Sequence, residues 1–317
     1  MLPGRERPDD SRTHVLDSLV KVLGWRATLL GDPATKDRWR FLRNHLRPGN
    51  FRTLDAGCGS GAFTMYASKI GNHAVGLSFD EAQLEKASRR AAILRLGTAQ
   101  FQQVDLRELD RFVNVLGRFE QIMCLECIEH IPNDRKLVCD LASLLTPAGV
   151  LIISTPYKYH KAYYSEALSP SEDGGHVRWG YTHDELRQML AGEGLTVVAV
   201  DSFHGFVAQK LINFRLRSLA ILPAVLAWPL IWLLRPLNML DKPLTTLLRY
   251  PYLSIGVVAV KNVKYQPKCG DLALSKEPVQ IFSRDCASTN RDCVSTNIKY
   301  VSPVVAAARM NTLVPHA

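Results

Sequence analysis

From Phe51 to Pro156 the chain alternates short apolar runs with stretches of helical periodicity. Five runs read as strands: FRTLDAG, HAVGLS, AQFQQVDL, EQIMCLE and GVLIISTP. Helices are predicted between them, near residues 60–70, 81–96 and 133–145. In the second, Leu84, Ala87, Ala91 and Leu94 share a face and Gly97 supplies the stop. In the third, Leu137, Val138, Leu141, Leu144 and Leu145 do the same, and Pro147 ends the helix. Parallel strands need crossover connections, and helical crossovers cover both faces of the sheet, so this rhythm predicts an α/β domain.

Upstream, Val15, Leu16, Leu19, Val22 and Leu23 recur at helical spacing, and DRWRFLRNHL continues the pattern, so residues 12–47 read as one or two helices. Downstream, Thr182-x-x-Glu185 is a capping box that opens the helix THDELRQML. LTVVAVDSF and YLSIGVVAVKNV read as a sixth and a seventh strand. After Lys264 the periodicity fades, and RDCASTN is followed at once by RDCVSTN. Two copies are too few for a stacked repeat architecture. The expected organisation is a helical segment 1–48, a domain 49–263 and an unstructured tail 264–317.

The segment Leu54-Asp55-Ala56-Gly57-Cys58-Gly59-Ser60-Gly61-Ala62 is a strand that ends in a glycine turn and opens a helix. Such a turn brings a ligand close to the main chain. Gly57, Gly59 and Ala62 fit the dinucleotide spacing G-x-G-x-x-G/A, which leaves a nicotinamide oxidoreductase as one reading. Asp55 weighs against it: a carboxylate there repels a pyrophosphate and attracts the ammonium and sulfonium of S-adenosylmethionine. A third reading is a binding module that keeps the turn without turnover.

LDAGCGSG resembles the first motif of class I S-adenosylmethionine-dependent methyltransferases, and the resemblance extends over about residues 50–203. It implies a Rossmann-like seven-stranded sheet, parallel but for an antiparallel last strand, into which residues 205–251 set a hydrophobic helical insertion between strands six and seven. It places S-adenosylmethionine over Asp55, Ala56, Gly57, Cys58, Gly59 and Gly61. The end of strand two departs from the family's usual acid and carries Ser78. There GLSFDEAQ is more similar to the cyclopropane-fatty-acid-synthase branch, which implies ribose contacts from Ser78 and Gln83 beside Phe79, with Asp80 as a helix cap. Asp105 matches the acid that accepts from the adenine amino group, with Leu106 next to it. Leu125 and Glu126 open LECIEHI, which resembles the "EVLEHI" signature of the subgroup that includes quinone-biosynthesis enzymes.

Methyl transfer is an in-line displacement, and a base is needed only where the acceptor loses a proton. Candidates lie outside the strand carboxyl ends: His130 after strand four, Tyr157 and His160 after strand five, and His176 in the loop SPSEDGGHVRWGYT. His130 could equally order its turn through backbone bonds, and Tyr157 and His160 could be surface loop. His176 and Arg178 resemble a segment of related enzymes that orders the loop over the acceptor. No metal site is expected, because Glu126, Glu129 and His130 lack a recognised ligand spacing.

The 317 residues are 47% hydrophobic and 22% charged, an ordinary globular mixture. The seven cysteines show no disulfide-framework spacing, and the start MLPGRERPDD has no apolar run behind its charges, so a reduced cytoplasmic chain is expected. The formal net charge is +9. Residues 205–251 hold six basic residues against Asp241 alone, around the sixteen-residue apolar run LAILPAVLAWPLIWLL. That run is too short and too proline-rich for a simple span. With Trp228 and Trp232 it suits an anionic membrane surface, while a buried lid over the site of a soluble small-molecule O-methyltransferase is the alternative. The expected acceptor is lipophilic: a quinone precursor, a glycolipid or another lipid-linked intermediate. Nucleic acid is not an expected partner, because the excess charge sits in a greasy segment rather than along a polar groove. Peripheral attachment to the cytoplasmic side of a membrane is the expected location.

Overall fold

The computed structural model describes residues 10–30, 33–161, 168–169, 175–264 and 283–285. The strands are β1 Arg52–Ala56, β2 His73–Ser78, β3 Ala99–Gln103, β4 Phe119–Leu125, β5 Leu145–Pro156, β6 Leu195–Phe203, β7 Ser254–Lys261 and β8 Ser283–Asp285. The helices are α1 Asp10–Leu23, α2 Pro33–His45, α3 Ala62–Lys69, α4 Glu81–Ile93, α5 Val113–Leu116, α6 Asp134–Leu144, α7 His183–Gly192, α8 Phe206–Ile221, α9 Ala224–Leu234 and α10 Asp241–Leu247. They form one sheet in the order β6-β7-β5-β4-β1-β2-β3-β8. β7 runs antiparallel to both its neighbours, and β1 to β5 pair in parallel. The seven-stranded sheet with an antiparallel last strand, expected from the resemblance, is therefore present, with an eighth strand on the β3 edge. Three residues of the segment expected to be unstructured, Ser283–Asp285, supply that strand. The rest of 265–317, including most of the tandem heptapeptide, lies outside the described residues.

The central strands are apolar at consecutive positions because both faces of the sheet are covered. Ile122 and Cys124 of β4 pack with Leu137, Leu141 and Leu186 on one face, while Met123 and Leu125 pack with Phe63, Leu84 and Phe41 on the other. Burying each such side chain contributes about 1.5–3 kcal/mol.

Two local expectations change. Gly97 does not stop α4; Arg95 does, at φ +55°, with Leu96 N–H bonded to Ala91 O and Arg95 N–H to Ala92 O. This is a Schellman ending, and the glycine two residues on is not needed for it. Pro147 does not end α6: the helix stops at Leu144, and β5 begins at Leu145, ahead of the predicted GVLIISTP. Cys58, Cys124 and Cys127 are free. The capping box stands as expected, Glu185 N donating to Thr182 Oγ1 at 3.1 Å and Thr182 N to Glu185 Oε2 at 2.8 Å.

Candidate active site

The turn after β1 needs its glycines for two different reasons. Gly57, Gly59 and Gly61 all take positive φ, at 84°, 49° and 77°. A Cβ on Gly61 would lie 2.7 Å from both Ala87 Cβ and the Phe101 ring, and one on Gly57 2.5 Å from Cys127 Sγ. A Cβ on Gly59 would meet nothing within 4 Å. Gly57 and Gly61 thus serve packing, and Gly59 presents bare backbone to open space, where a ligand can approach. Gly59→Ala is expected to cost about 1–2 kcal/mol for its left-handed φ, and to weaken S-adenosylhomocysteine binding more than it weakens the fold. Gly61→Ala is expected to cost about 3 kcal/mol or more, from the same strain plus overpacking. Urea unfolding beside titration calorimetry separates the two effects.

Asp55 ends β1 with only 3% exposure. Its Oδ2 accepts from Thr64 Oγ1 at 2.7 Å, and the Thr64 backbone N–H also donates to the carboxylate. Burial outweighs these bonds and pushes the carboxyl up to about 6. Among the described residues no ion pair reaches Asp55. A dry carboxylate without a counter-charge, beside open glycine backbone, fits a cationic donor.

Along the carboxyl edge, Ser78 Oγ accepts from Asp80 N at 3.2 Å, and Asp80 caps α4 by accepting from Gln83 N at 3.1 Å, as expected of Asp80. The Phe79 ring beside them is 60% exposed, an aromatic surface open to a ligand. Asp105 is gripped by Arg107, whose Nε lies 2.9 Å from both carboxylate oxygens; this guanidinium holds the acid below its usual range. An adenine amino group reaching Asp105 has to share it with Arg107. A cavity of about 450 Å³ opens there, lined by Asp105, Leu106, Arg107, Ile131, Pro132 and Lys136. Glu126 follows β4 at φ +49°, a strained conformation for a side-chain-bearing residue. Its backbone N–H bonds Ser154 O at 2.8 Å, and its carboxylate accepts from Ser154 Oγ at 2.9 Å.

The next turn carries Glu129 and His130. Glu129 is fully buried and accepts from Thr155 Oγ1 at 3.1 Å. Its other oxygen has no hydrogen-bond partner and lies 4.0 Å from His130 Nε2. Burial, and then the charge of Glu126, push the Glu129 carboxyl well above its ordinary range. His130 Nδ1 lies 3.1 Å from Gly175 O. A carbonyl only accepts, so Nδ1 carries the hydrogen and the neutral ring has its lone pair on Nε2. Val177 N–H bonds Glu129 O at 3.1 Å, which sets the His176 ring 4.6 Å from that of His130. Arg178 secures this loop on Asp134 at 2.6 Å and Pro132 O at 2.8 Å. The ligand atoms of Glu129, His130 and His176 lie within 4.8 Å of one another, a donor set that suits a divalent transition metal. No metal site was expected from the sequence, where Glu126, Glu129 and His130 showed no ligand spacing; His176, which the folded loop brings in, was not among them.

The other two candidates sit apart from this geometry. His160 Nδ1 bonds Tyr157 O at 2.6 Å, and its ring faces Trp179 at 6.3 Å. Tyr157 bridges to Tyr181 and stacks edge-on with Tyr159. Sequence reasoning missed Ser154 and Thr155, whose buried hydroxyls hold Glu126 and Glu129; two polar residues closing an otherwise apolar strand were the available signal. It also missed Trp25, whose Nε1 donates to Ala62 O at 2.5 Å and fastens the N-terminal segment to the start of α3.

The strand order and the glycine turn define a class I S-adenosylmethionine-dependent methyltransferase. Residues 24–200 match the family described as a methyltransferase domain, and the chain belongs to that family. A ubiquinone biosynthesis O-methyltransferase of Coxiella burnetii is 27% identical over 177 residues, covering 53% of this chain and 73% of its own. One from Nitrosococcus oceani is 32% identical over 126 residues, covering 40% of this chain and 52% of its own. A solved S-adenosylmethionine-dependent methyltransferase from Mesorhizobium loti has 20% identity and a TM-score of 0.46, covering 70% of this chain and 97% of its own.

Proposed function

We propose that the enzyme methylates a hydroxyl oxygen on an amphiphilic small molecule, such as a quinone precursor or another lipid-linked intermediate. The observation that carries this reading is the Glu129–His130–His176 cluster at the carboxyl end of β4, which can take a proton from an acceptor hydroxyl. Relatives named ubiquinone biosynthesis O-methyltransferase support oxygen as the methylated atom and a lipophilic acceptor.

When bound, S-adenosylmethionine supplies an electrophilic methyl carbon on a sulfonium. The glycine turn holds it by backbone, and Asp55 supplies the opposite charge. His130 or His176 removes the hydroxyl proton as the oxygen attacks. The imidazole would keep the proton, leaving the acceptor oxygen its electron pair for the methyl group that S-adenosylmethionine would supply from its sulfonium. Thr155 and Ser154 fix the two carboxylates beneath this point.

Incubation of the enzyme with methyl-labelled S-adenosylmethionine and a lipid extract tests the reading. The label is expected in an organic-soluble product as a methoxy group. Label confined to water-soluble products, or attached to nitrogen or carbon, would count against it.

A further inference from the structure

We propose that residues 205–251, between β6 and β7, form a docking surface for an anionic lipid bilayer. The surface bears on how the acceptor reaches the site, and in that respect it rests on the acceptor reading above; the docking itself stands apart from the chemistry.

α9 is apolar on every side. Ala227 and Ile231, four residues apart, face inward at 0% and 4% exposure. Leu226, Leu230 and Leu233 face outward at 56%, 43% and 74%. Leu237 and Met239 in the turn that follows, and Leu247 at the end of α10, extend the exposed patch. A helix that is hydrophobic all round belongs against a second apolar phase, and a patch of this kind marks an interaction site. No helix among the described residues is long and apolar enough to cross a membrane. The eleven residues of α9 rise only about 16 Å, half a bilayer core, so the patch lies on a bilayer rather than through it.

Charge selects the occupant. The one acid of the segment, Asp241, is buried, and its two oxygens accept from Gly205 N at 2.8 Å and Ala208 N at 2.9 Å at the start of α8. The segment's acid is therefore spent on capping a helix, and its exposed charge is wholly positive. Lys210, Arg217, Lys242 and Arg249 are exposed, and among the described residues none of them joins an ion pair. Two copies of this surface face to face would set like charges against each other, which disfavours self-association. An anionic bilayer satisfies both the greasy patch and its cations.

The platform is fixed and borders the site. Gln209 Nε2 donates to His204 O at 2.9 Å and Pro251 O at 2.7 Å, which ties the entry of the segment to its exit. Lys161, next to His160, sits over the Tyr250 ring at 4.6 Å. An acceptor leaving the bilayer thus emerges beside the loop that follows β5.

The test is sedimentation of the full-length protein with phosphatidylcholine vesicles, with and without phosphatidylglycerol. Binding is expected to require phosphatidylglycerol and to fall with added salt. Leu226→Glu/Leu233→Glu is expected to abolish it, and Arg217→Gln/Lys242→Gln to weaken it about thirtyfold. Both variants should bind S-adenosylhomocysteine as the parent does, which reports an intact fold. Docking is overturned if the parent ignores anionic vesicles or if both variants bind like the parent. It is also overturned if the parent is a dimer in sedimentation velocity that the leucine variant converts to monomer. Failure of the parent to bind S-adenosylhomocysteine would instead overturn the methyltransferase reading and leave the vesicle result standing.

Discussion

Asp55→Asn is expected to stabilise the ligand-free protein at pH 7.5 while weakening S-adenosylhomocysteine binding by about a hundredfold. Both effects come from one buried carboxylate. Folding raises the Asp55 pKa from 3.8 to about 6, because burial outweighs the two bonds from Thr64. A shift of about two units corresponds to roughly 3 kcal/mol that the folded state loses once the group ionises. For a raised acid the sign is fixed: its favourable contribution is fully present below the unfolded pKa and is lost as pH rises through the folded one. At pH 7.5 the parent carries that whole cost, and the asparagine variant does not. Asparagine offers one acceptor oxygen where the carboxylate offers two, so about 1 kcal/mol is given back at Thr64. The net gain is about 2 kcal/mol at pH 7.5, and below about pH 4 it reverses to a loss of about 1 kcal/mol.

The same charge that strains the empty fold attracts the ligand's ammonium, so affinity and stability move in opposite directions. Parent affinity for S-adenosylhomocysteine is expected to fall as pH drops through about 6, and that of the variant to stay flat in this range. Urea unfolding and titration calorimetry, each across pH 4–8, measure both. A variant that is less stable at pH 7.5, or that binds within twofold of the parent, would show that Asp55 serves only to hold Thr64.

Much of this arrangement is legible in the sequence because its signals are local. The strands of the sheet are apolar runs that any burial on two faces requires, and the glycine turn lies within nine consecutive residues. The order of those strands is not local, and only the folded sheet supplies it. What escapes the sequence depends on distant contacts. Arg95 could replace Gly97 as the helix stop because an ordinary residue can take a positive φ where Leu96 packs back on the helix. β8 is three residues in a segment without periodicity, and its pairing with β3 leaves no pattern to read. His176 gains its role only when Val177 bonds the backbone of Glu129. Asp241 reads in sequence as a lone surface acid, yet it is a buried cap for α8.

His130→Ala is expected to lower kcat by about a hundredfold to ten-thousandfold, the usual span for a positioned base, with S-adenosylhomocysteine affinity changed by less than about twofold. The geometry gives the direction. Gly175 O holds the Nδ1 hydrogen and so directs the basic Nε2 toward the rest of the cluster. Glu129 cannot take over, because its carboxyl is raised by burial and by Glu126 and is fixed beneath the turn by Thr155. His176→Ala is expected to act in the same way, and His160→Ala, whose ring bonds its own turn, to act far less. A divalent cation among Glu129, His130 and His176 would take up the imidazole lone pair that receives the proton, so added Zn²⁺ is expected to inhibit turnover and chelation to leave it unchanged. Unchanged kcat in both His130→Ala and His176→Ala would remove the cluster from the reaction, leaving alignment over the glycine turn as the enzyme's contribution.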